Sequence, residues 1–245
     1  MPRRPVAWVT DEGTSDGFSL ARTLARAFPD TGLWPCLWLY SENPAFYCSP
    51  EPRPAPIQAS RAEAILRAEW QGDPPRAEWV APLGTDFPGL AEATTEEPEA
   101  FEAFQLLERS ERASAESGSG VLAPRLMLVP CTHPADAVAA MHLVCGSVYA
   151  GVENPGDVSS VLRSWERRFA AVLVGAHPGG ISIAVGKPPQ SEERALRIAA
   201  EQFAFAPRED AGAPGALITA ARELLSGNPP YTLTERDIWT FVWDD

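Results

Sequence analysis

Positive charge is scarce in this sequence. Its 20 Lys and Arg residues stand against 33 Asp and Glu residues, the formal net charge is −13, and Lys187 is the only lysine. Binding to nucleic acid needs a stripe of Lys and Arg that neutralises phosphates, whereas an acidic field repels them. We therefore exclude DNA and RNA as direct ligands.

Long apolar runs are also missing. A membrane-spanning helix needs roughly 18 or more consecutive apolar residues, and Arg, Glu and Pro interrupt every apolar run of this chain well before that length. The opening stretch "MPRRPVAWVTDEG" lacks the apolar region of a secretory signal peptide. We therefore expect a cytoplasmic protein without membrane contact.

Familiar catalytic signatures are absent as well. The sequence contains no GxSxG elbow, no HExxH pair, no Walker A loop and no complete dinucleotide fingerprint, so nothing in it implies a cofactor. Cys131 beside His133 is the one local pairing of a thiol with a base. The other cysteines are Cys36, Cys48 and Cys145. Four cysteines without a CxxC are too few for a disulfide scaffold, and we expect reduced thiols.

The stretch "VPCTHPADAVAAMHLVC" (129–145) gathers two cysteines and two histidines and raises the question of a zinc site. Pro134, Asp136 and the alanines that follow favour a helix between the two Cys/His pairs. At a rise of 1.5 Å per residue, such a helix holds His133 and His142 about 13 Å apart. Ligands of one zinc lie within about 2.0–2.3 Å of it. We therefore predict that the protein binds no metal.

Apolar residues make up 45% of the chain and include eight tryptophans, which suffices for one large core or two modest ones. Runs with strand character alternate with helical stripes. We predict a mixed α/β (α+β) fold, a mixed sheet flanked by helices, with an N-terminal α/β half. The flexible "SAESGSG" separates residues 1–113 from residues 125–245, and residues 114–124 form a linker or a long loop within one domain.

Three predicted strands bear on the topology. "GLWPCLWLY" (32–40) is predicted as a strand that Pro35 places at an edge or a bulge. "RAEWVAPL" (76–83) is predicted as a short strand. "IWTFVWD" (238–244) is apolar on both faces, so we expect a strand that pairs with the 125–186 region and is central or covered by helices.

The clearest helix is "NPGDVSSVLRSWERRF" (154–169), in which Asn154 caps the first turn, Pro155 follows it and apolar residues form one stripe. An acidic helix is predicted over about 98–112. The helix after "DEGTSDG" is expected to turn Leu20 toward the core.

Several stretches resemble one known family. They are "LVPCTHPADAVAAM", "DVSSVLRSWERRFAAVLVGA", "SIAVGKPPQSEERALRIAAEQFAFAP" and the chain end "WTFVWDD". Together they resemble the bacterial family catalogued as domain of unknown function 4253, over residues of about 125–245, and "GLWPCLWL" resembles a stretch found upstream in such proteins. The resemblance supports the division of the chain and implies no activity, cofactor or catalytic residue.

One functional hypothesis is a small hydrolase or transferase with its site in the C-terminal half. Glu166 lies beside a tryptophan, a partly apolar setting that raises the pKa of a carboxyl group. His177 lies in a turn between two strands, where a histidine can serve as general base. Solvated positions are the competing interpretation of both residues. The remaining candidates for this site are Arg163, Trp243 and Asp244, and these three and Glu166 are also candidates for binding.

The other hypothesis rests on uneven charge. Residues 86–116 contain nine acidic and two basic residues. Such a surface attracts basic proteins, although acidic surfaces also serve solubility. We favour a non-catalytic, immunity-like or regulatory module that binds a basic protein partner, with Glu97, Glu99 and Glu102 at the binding surface.

Overall fold

One mixed β-sheet organises the described part of the chain. A computed structural model describes residues 7–48, 53–72, 75–93, 102–116, 118, 120–143, 151–207, 213–226 and 236–243. The six strands are β1 (Trp8–Val9), β2 (Leu33–Trp38), β3 (Arg125–Pro130), β4 (Ala171–His177), β5 (Gly180–Val185) and β6 (Ile238–Val242). The predicted mixed α/β fold is confirmed.

Eight α-helices surround this sheet in the described residues. They are α1 (Gly17–Thr31), α2 (Ala62–Gly72), α3 (Ala77–Val80), α4 (Ala103–Glu116), α5 (Ala137–Met141), α6 (Pro155–Phe169), α7 (Glu192–Phe205) and α8 (Ala216–Ser226). Of the helices described, none combines the length and apolarity that a membrane crossing requires.

The strand order is β1-β3-β2-β4-β5-β6. Only β2 and β4 pair in parallel, and every other neighbouring pair is antiparallel. β2 comes from the first half of the chain and lies between β3 and β4 of the second half. Strands from both sides of the predicted linker 114–124 therefore share one sheet, and α4 continues through the first residues of that linker.

Helices α1 and α4 cover one face of the sheet. Trp34 of β2 packs against Phe104 of α4 with 5.9 Å between ring centroids, and Val172 of β4 lines the same space. Val172 is opposite Ala184 in β5, and Ala184 is opposite Ile238 in β6. Because directly opposite residues point to the same face, this face extends from β2 to β6.

Helices α6 and α7 cover the other face. Side chains alternate along a strand, so Trp239 and Phe241 point away from α4. Their rings lie 5.6 and 5.3 Å from that of Trp165 in α6, and Phe205 of α7 lies 4.9 Å from Phe241. The terminal strand is thus covered by helices and paired with β5, as predicted, although it lies last in the sheet rather than at its centre.

The predicted helix 154–169 is confirmed as α6. The Asn154 side chain accepts a hydrogen bond from the Gly156 N–H (2.9 Å), and Pro155 occupies the first turn, where no N–H is needed. Every member of the predicted apolar stripe is buried: Val158, Val161, Leu162, Trp165 and Phe169. The cap, the proline and the apolar stripe in the sequence therefore predict both the ends of this helix and the face that it buries.

β2 is an internal strand, which corrects the prediction that Pro35 marks an edge or a bulge. Pro35 is opposite Leu128 on the β3 side, whereas pairing with β4 begins only at Leu37. Near Pro35 the contact with β4 is made by Trp34, whose indole N–H donates to the Leu173 carbonyl (2.8 Å). Proline lacks a backbone N–H, and it is tolerated here because the ladder to one neighbour has not yet started.

Residues 76–83 were predicted as a strand, and this prediction is wrong. They contain the single-turn helix α3, and of this stretch only Val80 is fully buried. Pro75 and Pro82 flank a run too short for alternation to separate a strand from a helical turn. A single buried apolar side chain, that of Val80, is equally compatible with a strand and with a helical turn.

Helices α1 and α4 differ from prediction in detail. The described part of α4 begins at Ala103, and residues 98–101 of the predicted helix 98–112 lie outside the described residues. Leu20 of α1 is 45% exposed. It follows the buried Phe18 by two residues, which places it about 200° around a helix with 100° between residues.

A buried ion pair joins the helices behind the sheet. Glu201 of α7 is fully buried, and both of its carboxylate oxygens accept from Arg168 of α6 (2.7 and 2.6 Å). The same carboxylate accepts from the Trp165 indole (2.7 Å) and the Ala91 N–H (2.7 Å). Arg168 also donates to the Ala91 carbonyl (2.8 Å). The network therefore holds α6, α7 and the loop around residue 91 in one arrangement.

Glu201→Gln should destabilise the protein by about 3–5 kcal/mol, because it removes one partner of a buried pair and leaves a guanidinium and two N–H donors facing an amide. Urea unfolding measures the change. The matched control is Glu193→Gln on the same helix, in an exposed pair with Arg197, which should cost less than about 1 kcal/mol. Equal losses in the two variants would contradict the structural role of Glu201.

A fragment of residues 125–245 lacks β2, so β3 and β4 lose the strand that joins them. We expect this fragment to give no cooperative urea transition alone and to gain one when it is co-expressed with residues 1–124. Circular dichroism and urea titration of both preparations test this. A cooperative transition of the isolated fragment would instead support a self-sufficient domain beginning at residue 125.

Candidate functional site

A cluster of polar side chains lies where β3 ends. Residues 131–136 follow β3 and lead into α5, and this turn packs against α6, which contributes Arg163 and Glu166. These two residues are three apart and therefore share one face of the helix. We call the following set the Arg163 cluster: Cys131, His133, Asp136, Arg163 and Glu166.

Arg163 forms a two-pronged ion pair with Asp136. Its Nε lies 2.6 Å from Oδ1 and its Nη2 lies 2.5 Å from Oδ2. The Thr132 hydroxyl donates to the same carboxylate (2.9 Å), and both charged side chains are largely buried. Paired donors in this geometry are the strong form of an Arg–carboxylate contact. The pair therefore holds the turn after β3 against α6.

Glu166 is the acidic group of the cluster with a perturbed pKa. Its Oε2 lies 3.7 Å from His133 Nδ1, and its side chain is 26% exposed. Burial raises the pKa of Glu166, and the nearby Asp136 charge adds to the rise, whereas His133 and Arg163 oppose it. The net direction is upward, as the partly apolar setting in the sequence predicts.

The pairing of Cys131 with His133 does not produce an activated thiol. Burial raises the pKa of Cys131 to about 12, and the charges of Asp136 and Glu166 contribute to the rise. The thiolate, not the thiol, is the nucleophile. The thiol therefore stays protonated near neutral pH.

His177 and Trp243 lie away from the Arg163 cluster. Glu166 is near the start of β4, because its carbonyl accepts from the Ala170 N–H (3.0 Å), while His177 is the last of the seven residues of that strand. A strand rises about 3.3 Å per residue, so roughly 20 Å separates the two ends. The hydrolase or transferase site predicted from the sequence is therefore divided between opposite ends of the sheet.

Trp243 belongs to the core rather than to an exposed binding surface. It is 4% exposed, and its indole N–H donates to the Phe205 carbonyl (3.3 Å). Its backbone N–H donates to the Gly179 carbonyl (2.7 Å), which ties the end of β6 to the β4–β5 turn. Close packing continues at Gly180, where an added Cβ would lie 1.8 Å from the His177 ring.

The acidic candidates have different outcomes. Glu102 precedes α4 and forms an ion pair with Arg26 of α1. Glu97, Glu99 and Asp244 lie outside the described residues. Glu102 is therefore engaged within the chain, and the binding role of the other three stays a prediction.

No group of three or more His, Cys, Asp or Glu side chains arranged to hold a metal occurs in the parts of the chain that the structure describes. The helical turns predicted between the Cys/His pairs are present, with a 3-10 turn at Pro134–Asp136 followed by α5. His133 precedes these turns and His142 ends them. Cys145 lies outside the described residues, and the absence of metal stays a prediction.

Sequence reasoning missed the partners that organise this cluster. Asp136 was interpreted only as a favourable charge in the first turn of a helix, and Thr132 was not considered. The available signal was that Arg163 and Glu166 lie on the face of α6 beside its apolar stripe, where a helix meets neighbouring loops. Which loop they meet depends on the sheet order, which is not readable from spacing.

The chain was also compared with known protein families, curated proteins and solved structures. A family model described as "Domain of unknown function (DUF4253)" matches residues 125–244. These residues belong to the DUF4253 family. The DUF4253 segment begins at the first residue of β3 and includes β3 to β6 and α5 to α8, and thus the whole Arg163 cluster. No curated protein and no solved structure matches the chain.

Glu166→Gln should raise stability at neutral pH relative to wild type. The unfolded carboxyl group ionises near pH 4.3, and the raised pKa in the folded protein means that ionisation costs more there. Wild type therefore loses stability as pH rises through this pKa, and the variant does not. Thermal unfolding between pH 4 and 8 should show a gap that closes toward acid pH. The exposed Glu12→Gln is the control, and a pH-independent gap would contradict the argument.

Proposed function

We propose that this DUF4253 protein is a non-catalytic binding module of the immunity or regulatory kind whose partner is a basic protein. The observation that carries the proposal is the concentration of acidic residues in 86–116, nine against two basic residues, within a chain of net charge −13. Charge complementarity of this kind steers association and selects partners.

The described acidic residues of this segment support the proposal. Asp86, Glu92 and Glu116 are exposed. Glu108 is instead paired with Arg112 one turn further along α4. No ion pair joins these three carboxylates to another described residue, so their field is available to an approaching protein.

The Arg163 cluster also fits a non-catalytic role. Arg163 and Asp136 satisfy each other through two short contacts, and Cys131 is held as a thiol. Groups that engage one another in this way stabilise a turn, and they supply no activated nucleophile.

A small hydrolase or transferase is the second candidate, and one observation favours it. Glu166 has a raised pKa and lies near His133, and both residues are within the DUF4253 segment. A carboxylic acid with a pKa moved toward neutrality can donate a proton in catalysis. Glu166→Gln distinguishes the two, because an enzyme that uses this carboxyl group as its acid loses turnover, whereas capture of a partner by the acidic segment 86–116 does not depend on it.

Two finer properties remain predictions of the sequence. We propose a cytoplasmic location, which is supported by the four cysteines without a CxxC and by the free thiols of Cys36, Cys48 and Cys131 in the described structure. Bacterial origin rests only on the family resemblance.

Reversing Asp86, Glu92 and Glu116 to lysine should weaken capture of the basic partner from native lysate and slow its association. The reason is that the steering field at this surface reverses, and wild-type association should itself slow as salt screens charges beyond roughly 8 Å. These residues are preferred to Glu102, whose reversal would also break its pair with Arg26. Pull-down and association rates at several salt concentrations give the measurement.

The matched control reverses three exposed acidic residues elsewhere, Asp11, Glu12 and Asp30. It changes the net charge by the same amount and should leave most of the capture intact. If the segment variant captures the same protein as wild type with the same salt dependence, the acidic segment is a solvated face and the proposal fails.

A further inference from the structure

A cavity of about 230 Å³ lies between α1, α4 and the sheet. The exposed side chains of Arg26 (68%) and Glu102 (40%) mark its mouth. Its lining comes from the consecutive elements α1 and β2 and from α4 with the residue before it and β4, which lie further along the chain. The residues that matter below are Arg22, Arg26, Trp34, Glu102, Phe104 and Val172.

The polar lining of this cavity is net positive. Arg22 and Arg26 are four residues apart on α1 and therefore share one helix face. Glu102 is the one carboxylate that the described residues contribute to the lining, and it is paired with Arg26. Among the described residues, no carboxylate lies within ion-pair distance of Arg22. Two guanidinium groups and one carboxylate give the described lining a net positive charge, although the net charge of the whole chain is −13.

The floor of the cavity is apolar and aromatic. Trp34 and Phe104 are both buried, with ring centroids 5.9 Å apart and planes inclined at 36°. The indole N–H of Trp34 is already used by the Leu173 carbonyl, so this ring offers its apolar surface. Val172 of β4 completes the floor. An aromatic ring of a ligand packs well on other aromatic rings through offset-stacked and edge-to-face contacts.

We propose that this cavity binds a small monoanion with a single aromatic ring, an aryl carboxylate. A cavity of about 150 Å³ accommodates benzene, so the space here holds a ring with one carboxylate substituent. The ring packs on Trp34 and Phe104, and the carboxylate pairs with Arg22, whose planar fork matches it. The cavity shares Glu102 with the acidic segment 86–116, but Asp86, Glu92 and Glu116, the residues reversed in the test of the proposed function, are not among its lining residues. A failure of one proposal is therefore distinguishable from a failure of the other.

Benzoate and benzamide test the proposal, because they share shape and differ in charge. Titration calorimetry should show benzoate binding at least 10-fold more tightly than benzamide. In labelled protein, the ¹H–¹⁵N signal of the Trp34 indole should shift on addition of benzoate. Equal affinities, or no binding of benzoate at about 10 mM, would overturn the proposal.

Arg22→Met should weaken benzoate binding at least 10-fold and leave benzamide binding unchanged. The control is Arg112→Met, an exposed arginine of α4 that does not line the cavity, and it should keep wild-type affinity. Ala25→Leu, which fills the cavity from α1, provides a second variant and should abolish binding. Unchanged benzoate affinity in either cavity variant, with thermal unfolding confirming a folded protein, would overturn the assignment.

Discussion

The buried ion pair between Arg168 and Glu201 is the interaction on which the packing of α6 and α7 against the sheet depends. A buried carboxylate is tolerated only when its oxygens are satisfied, and here two guanidinium contacts, an indole and a backbone N–H do so. The arrangement places Trp165 beside Phe205 and both beside β6. The Glu201 carboxylate and its donors thus form one polar group within an aromatic core. This group joins α6, α7 and the loop around residue 91 beside the terminal strand.

The fold was predictable where local signals and packing agree. Helix α6 carries a cap, an N-terminal proline and a continuous stripe, and it was predicted correctly along its length. Pro35 was misinterpreted because its meaning depends on where the ladder to β4 starts, and β4 lies far along the chain. The strand prediction for residues 76–83 was wrong for another reason. A single buried side chain cannot show whether apolar residues recur with the period of a strand or of a helix.

The candidate site was only partly predictable. Arg163 and Glu166 share a helix face, so the sequence could place them together. His177 lies at the far end of β4, and Trp243 is tied to the same end by its N–H, which donates to the Gly179 carbonyl. Glu201 offered a readable signal, a carboxylate on the face of α7 that also carries Ile198 and Phe205. The cavity offered none, because its floor and its arginines come from four elements that only the tertiary fold brings together.

The position of β2 has a consequence for synthesis of the chain. Trp38, at the end of β2, leaves the ribosome long before His177, at the end of the strand it pairs with. The roughly 140 intervening residues take roughly 7–28 s at about 5–20 residues per second. β3 is synthesised within that interval and can pair with one side of β2, whereas the side of β2 that meets β4 stays unpaired until the interval ends. The nascent N-terminal half is therefore a natural client for chaperones, and slowed translation would lengthen its exposure to aggregation.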